Sequence, residues 1–122
     1  MKSILIVDDQ PYLRELLSEM LTREGYRVAS VGDIQSMWRH LRDSPPDLVL
    51  LDLYLNGSKG WDVLRDIKSI DPNLPVLIVT AYDSYVNDPR LSQAAGYIIK
   101  SFSAFDELKE KIAEVLKNGS SH

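Results

Sequence analysis

Short runs of apolar residues alternate along the chain with segments in which apolar residues recur every three or four positions. The runs are rich in leucine and β-branched residues and show little polar alternation, which is typical of strands covered on both faces of a sheet. Four runs are strong, and a fifth, RVASV, is weaker. In chain order, the five predicted strands are 3–7, 27–31, 47–53, 75–80 and 97–99.

The segments between the strands have the apolar period of an α-helix. The first helix is predicted to begin near Pro11, which suits a first helical turn, and to end near Gly25, which suits a stop. Ser103 and Asp106 resemble a capping box at the start of the last helix. The four regular apolar stripes are Leu13, Leu16, Leu17, Met20 and Leu21; Ile34, Met37, Trp38 and Leu41; Val63, Leu64, Ile67 and Ile70; and Phe105, Leu108, Ile112, Val115 and Leu116.

The segment between the fourth and fifth strands has the weakest helical pattern. Because Pro89 cannot lie in a helix interior, we place it in the first turn of a short fourth helix, with Asp88 as N-cap and Gly96 as the stop. A polar loop over about residues 81–88 precedes this helix. Strand and helix therefore alternate five times, which predicts a parallel sheet with right-handed crossovers and helices on both faces.

The composition is that of an ordinary globular domain. The chain has 122 residues, a net charge of −4 and no cysteine. The negative charge disfavours sequence-independent binding to nucleic acid, and the lack of cysteine excludes disulfides and thiolate metal sites. No apolar run is long enough to cross a bilayer or to form a signal-peptide core. We expect one cytoplasmic domain at residues 1–118 and a disordered tail or expression remnant at residues 119–122.

Polar residues stand where the predicted strands end. Ligands of an open parallel α/β sheet bind beyond the carboxyl ends of its strands, so these side chains are expected to converge. Each residue alone could be an N-cap or a solvated loop residue, but their recurrence at four strand ends indicates a site. The residues are Asp8 and Asp9 after the first strand, Asp52 at the end of the third, Thr80 at the end of the fourth and Lys100 after the fifth.

The chemistry of these side chains favours a divalent cation and a phosphoryl group. Three carboxylates repel one another when close, and oxygen ligands without histidine or cysteine indicate Mg²⁺ or Mn²⁺ rather than zinc. Lys100 offers a positive charge, and Thr80 a hydroxyl donor, for phosphoryl oxygens. Asp52, embedded in a rigid apolar strand, can itself accept the phosphoryl group as an aspartyl phosphate.

Four segments resemble the signature segments of the response-regulator receiver domain, the phosphoacceptor module of two-component signalling. They are IVDDQPYLR, LLDLYLNGSKGWDVL, VTAY and GYIIKSF, and the resemblance extends over about residues 3–117. The resemblance implies an α/β, flavodoxin-like (βα)5 three-layer sandwich whose five-stranded parallel sheet has the order 2-1-3-4-5.

The resemblance also implies roles for individual residues. Asp52 corresponds to the phosphoacceptor, Thr80 to the switch hydroxyl that turns toward the phosphoryl group, and Lys100 to the lysine of the site. Tyr97 corresponds to the aromatic residue whose rotation accompanies activation.

The same resemblance implies a magnesium site. Asp9 corresponds to a direct ligand, Asp8 to an acid that binds the metal through water, and Tyr54 to a backbone carbonyl ligand beside Asp52. The implied phosphodonor is a sensor histidine kinase or a phosphotransfer protein. The fourth helix, fifth strand and fifth helix would form a surface for a homodimer or an output partner, with no binding of this domain to nucleic acid or membrane.

Two departures from the family pattern affect these expectations. Ser101 stands where the family has proline, so we expect a trans Lys100–Ser101 peptide, since a cis bond before a non-proline residue is costly. In the loop after Asp52, Gly57 and Gly60 favour a turn with positive φ.

Two alternatives to a phosphorylated signalling switch remain. A magnesium-dependent phosphatase or phosphotransferase with an aspartyl nucleophile would need a second acid two residues after Asp52, where the chain has Tyr54. A phosphorylation-independent interaction module would keep the fold without the chemistry. A non-enzymatic receiver is the main prediction. A flavin site is disfavoured because the loop after the first strand is acidic.

Overall fold

The structure, a computed structural model, describes residues 1–55, 58–81, 87–100 and 104–119. No helix in these ranges is long and apolar enough to cross a membrane. The described elements, in chain order, are β1 (Ser3–Val7), α1 (Pro11–Arg23), β2 (Arg27–Val31), α2 (Ile34–Asp43), β3 (Leu48–Leu51), β4 (Tyr54–Leu55), β5 (Ser58–Lys59), α3 (Gly60–Ile70), β6 (Val76–Thr80), a 3-10 helix (Pro89–Gln93), β7 (Gly96–Ile99) and α4 (Ala104–Gly119).

Five of the strands form one parallel sheet in the order β2-β1-β3-β6-β7. Counted among these five strands alone, the order is 2-1-3-4-5, which confirms the predicted topology. The central strands β3 and β6 are buried along their whole length, as their continuous apolar runs predict for strands covered on both faces.

Helices cover both faces of the sheet, which confirms the three-layer sandwich. Alternate residues of β1 enter opposite layers: Ile4 and Ile6 pack with α1 and α4, whereas Leu5 and Val7 pack with α2 and α3. Each layer has its own cluster of buried apolar side chains, so the sheet is held rigidly between two cores. The ends of its strands are therefore well-defined positions for functional groups.

The first three helices lie where the apolar period predicts them, with local signals at their ends. Pro11 opens α1, and Gly25, with φ of 98°, follows its end. Asp33 caps α2 by accepting a hydrogen bond from the Ser36 backbone N–H, and that bond lowers the pKa of the Asp33 carboxyl. Two stripe residues are not in the core, however, because Leu16 is 38% exposed and Ile70 is 73% exposed.

The predicted fourth helix is a 3-10 helix of five residues. Asp88 caps it as predicted, accepting from the Arg90 backbone N–H and from its guanidinium, and these bonds lower the pKa of Asp88 to about 2. Gly96 is not the helix stop that we predicted, since it is the first residue of β7. Residues 82–86 of the predicted polar loop lie outside the described residues.

A short antiparallel pair, β4 with β5, follows Asp52 and was not predicted. Gly60 follows this pair and does not have the predicted positive φ. It is instead required by close packing, because a Cβ at Gly60 would lie 2.5 Å from the Cα of Leu53. Gly57 lies outside the described residues.

The last helix, α4, contains the predicted apolar stripe and extends to Gly119, one residue beyond the predicted end of the domain. Ser103, the predicted partner of Asp106 in a capping box, lies outside the described residues, and so do Ser101 and its peptide bond to Lys100.

Candidate functional site

Backbone hydrogen bonds of the sheet continue past the ends of the strands and fix the positions of three polar residues. The Asp8 N–H donates to the Val31 carbonyl at 3.1 Å, and the Asp52 N–H donates to the Val7 carbonyl at 3.0 Å. The Lys100 N–H donates to the Thr80 carbonyl at 2.7 Å. The side chains of Asp8, Asp52 and Lys100 are therefore displayed at one edge of the sheet by the pairing of its strands.

Three carboxylates form a cluster at this edge. One oxygen from each of Asp8, Asp9 and Asp52 lies within 4.8 Å of the others. Asp8 is 3% exposed and Asp52 is 7% exposed, whereas Asp9 is half-buried. The structure thus confirms that the acids following the first and third predicted strands converge.

Lys100 joins the cluster from the other side. Its ammonium donates to Asp8 Oδ2 at 2.8 Å and to Asp52 Oδ2 at 3.1 Å. An ionised carboxylate as buried as Asp52 is unfavourable without such compensation. The Lys100 bridge explains how Asp52 can be placed at the end of an apolar strand.

Thr80 is fully buried at the end of β6, and its hydroxyl has no hydrogen-bond partner within the part of the chain that the structure describes. Burying a hydroxyl without a partner costs free energy, and such groups are rare in folded proteins. An unpaired hydroxyl at the edge that carries the acid cluster is suited to receive an incoming acceptor.

Tyr97 and Tyr54 occupy different parts of the site. Tyr97 lies in β7, paired with Ile78 of β6, and is partly buried against the apolar cluster on the α2 and α3 side of the sheet. Tyr54 begins β4 two residues after Asp52, and its side chain is outside the described part of the structure. The switch role of Tyr97 and the metal-binding carbonyl of Tyr54 stay predictions.

Two residues beside the acid pair were not predicted from the sequence: Gln10, the N-cap of α1, and Arg14 in its first turn. The backbone N–H of Gln10 donates to Asp8 Oδ1 at 2.9 Å, and its side-chain Oε1 lies 3.4 Å from the Lys100 ammonium. The guanidinium of Arg14 donates to the backbone carbonyl of Asp8 at 2.7 Å. The only available signal was the spacing of Gln10 and Arg14, which places them one helical turn apart directly after the acid pair.

The donor set fits a hard divalent cation. Three carboxylates and the one ammonium that bridges two of them leave a formal charge of −2, which a divalent cation would balance. Oxygen ligands suit Mg²⁺ or Mn²⁺, and Mg²⁺ commonly uses one or two carboxylates together with phosphate oxygens. Both oxygens of Asp8 already accept hydrogen bonds, from Gln10 and from Lys100. A metal that bound Asp8 directly would therefore compete with these two hydrogen bonds.

The chain is similar to a known protein family and to proteins of known sequence. The family model described as the response regulator receiver domain matches residues 4–113. The probable transcriptional regulatory protein TcrX of Mycobacterium tuberculosis is 40% identical over 104 residues, covering 83% of this chain but 44% of TcrX. Sporulation initiation phosphotransferase F of Bacillus subtilis is 33% identical over 117 residues, covering 94% of each protein. The chain thus spans less than half of TcrX but nearly all of the phosphotransferase.

Solved structures of a response regulator are also similar to this chain. The response regulator protein TrrA of Thermotoga maritima, in complex with Mg²⁺–BeF, has a TM-score of 0.88 and 37% identity, covering 94% of this chain and 99% of that one. TrrA in complex with the histidine kinase ThkA has a TM-score of 0.87 and 38% identity, covering 95% of this chain and 99% of that one.

Proposed function

The chain belongs to the response-regulator receiver family, and on that premise we propose that it accepts a phosphoryl group on Asp52 from a histidine kinase or a phosphotransfer protein. The observation that carries the proposal is the position of Asp52, buried at a strand end, clustered with the other two carboxylates and paired with the Lys100 ammonium. The complex of TrrA with a histidine kinase supports this class of phosphodonor.

In the proposed reaction, a carboxylate oxygen of Asp52 attacks the phosphorus atom of a phosphohistidine as its P–N bond breaks. The electron pair of that bond returns to the imidazole, and the product is an acyl phosphate on Asp52. Lys100, which is already 3.1 Å from Asp52, then pairs with the new phosphoryl oxygens. The buried hydroxyl of Thr80, which has no partner among the described residues, gains an acceptor, and this gain would shift the domain toward its active state.

Mg²⁺, or Mn²⁺ in its place, would neutralise the charge that builds up on the phosphoryl oxygens during transfer. We assign its direct binding to Asp9, Asp52 and the backbone carbonyl of Tyr54, with Asp8 contributing through water. The Mg²⁺–BeF complex of TrrA supports the choice of metal, and the cluster of three carboxylates supports its position. After transfer, Tyr97 is proposed to rotate as Thr80 moves.

The proposal is tested by labelling the purified domain with a small phosphodonor such as acetyl phosphate and measuring the intact mass. We expect a single phosphoryl adduct that forms with Mg²⁺ and disappears when the metal is chelated. Failure to form an adduct in Mg²⁺ would contradict the proposal and support a phosphorylation-independent interaction module. Sustained turnover of a phosphate monoester would support a phosphatase instead, whereas a receiver is not expected to show it.

We propose that a protein phosphodonor contacts α1 beside the acid cluster. Tyr12 is 76% exposed and Leu16 is 38% exposed, and they lie one helical turn apart on the same face of α1. Pro11 and Gln10 connect this face to Asp8 and Asp9. A donor that presents a phosphohistidine to Asp52 would cover these exposed apolar side chains.

Replacing Tyr12 should slow phosphoryl transfer from a histidine kinase without changing labelling by a small phosphodonor. We expect Tyr12→Ala to slow transfer from a phosphorylated histidine kinase by about tenfold, because exposed aromatic residues often contribute more than 1 kcal/mol to interfaces. Labelling by acetyl phosphate should be unchanged, since it needs no docking surface. Ile70→Ala, which removes an apolar side chain that is 73% exposed at the end of α3, is the matched control. Equal slowing by both variants would contradict the assignment of α1.

We also propose an interaction surface and a location for the domain. The face formed by the 3-10 helix, β7 and α4 is our proposed surface for a homodimer or an output partner, because β7 is an edge strand of the sheet. The net charge of −4 argues against direct binding of this domain to nucleic acid. We place the domain in the cytoplasm, where histidine kinases have access to ATP.

A further inference from the structure

The guanidinium of Arg14 contacts the backbone, not the carboxylates, of the acid pair. Its Nη1 donates to the carbonyl of Asp8 at 2.7 Å, a short charge-assisted hydrogen bond. The bond joins the first turn of α1 to the point where β1 ends. Arg14 thus contacts the main chain of Asp8, whereas Lys100 contacts its side chain.

The polar groups of Asp8 are held by hydrogen bonds. The Asp8 N–H donates to Val31 of β2, and both oxygens of the Asp8 carboxylate are occupied by Gln10 and Lys100. The backbone carbonyl of Asp8 is held by Arg14. Since the peptide unit is planar, fixing this carbonyl also fixes the N–H and Cα of Asp9. The backbone position from which the Asp9 carboxylate projects therefore depends in part on the Arg14 bond.

Gly32 leaves the space in which the guanidinium lies. A Cβ at this position would lie 2.6 Å from Arg14 Nη1 and 3.1 Å from its Cζ. Among the described glycines only Gly25 has a positive φ, so Gly32 is not needed for its backbone conformation. Because the atoms that a Cβ would meet are the end of a flexible side chain, an alanine at Gly32 would displace the guanidinium without disturbing the sheet.

We propose that Arg14, placed over Gly32, is a positioning residue that orients the Asp8–Asp9 peptide and thereby sets the affinity of the acid cluster for Mg²⁺. The inference rests on the proposed function, since it assumes that the cluster binds this metal. Arg14 makes no contact with the metal in this scheme. It acts through the main chain, as partners of metal ligands commonly do.

The direction in which Mg²⁺ affinity changes when Arg14 is removed distinguishes an orienting role of Arg14 from an effect of its charge. A guanidinium near three carboxylates repels a cation, so removing its charge alone would strengthen Mg²⁺ binding. If Arg14 instead orients the Asp8–Asp9 peptide, removing it would weaken binding. Gly32→Ala separates the two effects further, because it moves the guanidinium away from the Asp8 carbonyl and leaves the charge of the chain unchanged.

The test measures Mg²⁺ alone, without a phosphodonor, by following the backbone amide signals of Asp9 and Gln10 in an NMR titration. We expect Arg14→Gln and Gly32→Ala each to raise the dissociation constant about tenfold, the lower end of the range for partners of metal ligands. Arg23→Gln, at an exposed arginine of the same helix that pairs with Glu19, should leave the constant unchanged. At saturating Mg²⁺, acetyl phosphate should label Arg14→Gln and Gly32→Ala to the same extent as it labels the wild type.

The possible outcomes separate this inference from the proposed function. Wild-type protein that binds Mg²⁺ while Arg14→Gln binds equally or more tightly would overturn the role of Arg14 and leave the phosphoacceptor assignment standing. A wild-type protein that neither binds Mg²⁺ nor takes a label would overturn both. Urea unfolding of each variant checks that the fold is retained, and if Arg14→Gln does not fold, the Gly32→Ala result decides alone.

Discussion

Asp52→Asn is expected to take no phosphoryl group from acetyl phosphate in Mg²⁺, while the wild type forms one adduct. The substitution keeps the shape of the side chain but replaces the charged nucleophilic oxygen with an amide, which cannot form an acyl phosphate. It should not unfold the domain. Asp52 lies among carboxylates that repel it, so removing its charge relieves repulsion at the same time as it loses the ion pair with Lys100.

Asp47→Asn is the matched control, since Asp47 is an exposed aspartate just before β3, at the opposite end from Asp52. It accepts hydrogen bonds from Ser3, which an asparagine oxygen can also accept. This variant should be labelled as fully as the wild type. Equal labelling of Asp52→Asn and the wild type, or an adduct that maps to Asp8 or Asp9, would refute the assignment of Asp52.

The sheet was predictable because its information is local. Four of its strands are predominantly apolar runs such as Val76–Thr80, and their alternation with helical stripes leaves few topologies for a parallel sheet. The position of the site followed from that topology, because strand ends meet at one edge. The predicted topology placed Asp52 and Lys100 close together although 48 residues separate them in the sequence.

The parts that were wrong or missed depend on tertiary contacts that periodicity does not contain. Leu16 and Ile70 continue apolar stripes but lie at the margin of the helix face that meets the sheet, so they remain exposed. The β4–β5 pair has only two residues in each strand, too few to give an alternating pattern. Gly60 looked like a turn glycine, whereas its role is to allow close contact with the backbone of Leu53.

The missed site residues have the same explanation. Arg14 reaches the Asp8 carbonyl, and Gln10 reaches Lys100, through side-chain conformations that no spacing rule specifies. The sequence indicates which groups stand at the edge of the sheet. It does not indicate which of them orient the others, because that depends on hydrogen bonds between α1 and the end of β1.

Lys100→Met is expected to have the largest effect on stability. In a metal-free buffer, the variant should lose about 2–3 kcal/mol of unfolding free energy, somewhat less than the loss for a fully buried ion pair because the side chain of Lys100 is 18% exposed. The cause is the loss of the ammonium that bridges Asp8 and Asp52, which leaves their charges uncompensated in a buried position. Urea unfolding followed by circular dichroism measures the loss.

Saturating Mg²⁺ should stabilise Lys100→Met more than it stabilises the wild type. In the variant, the cation would meet three carboxylates with no ammonium beside them, so its binding to the folded state is stronger and adds more to the free energy of unfolding. Labelling by acetyl phosphate should nevertheless fall, because the positive charge that pairs with the phosphoryl oxygens is gone.

The matched control for this experiment is Lys109→Met, which removes an exposed ammonium 3.9 Å from Glu24. Exposed pairs contribute little, so this variant should unfold within about 0.5 kcal/mol of the wild type with or without Mg²⁺. If Lys100→Met unfolds at the same urea concentration as the wild type in metal-free buffer, Lys100 does not compensate the acid cluster.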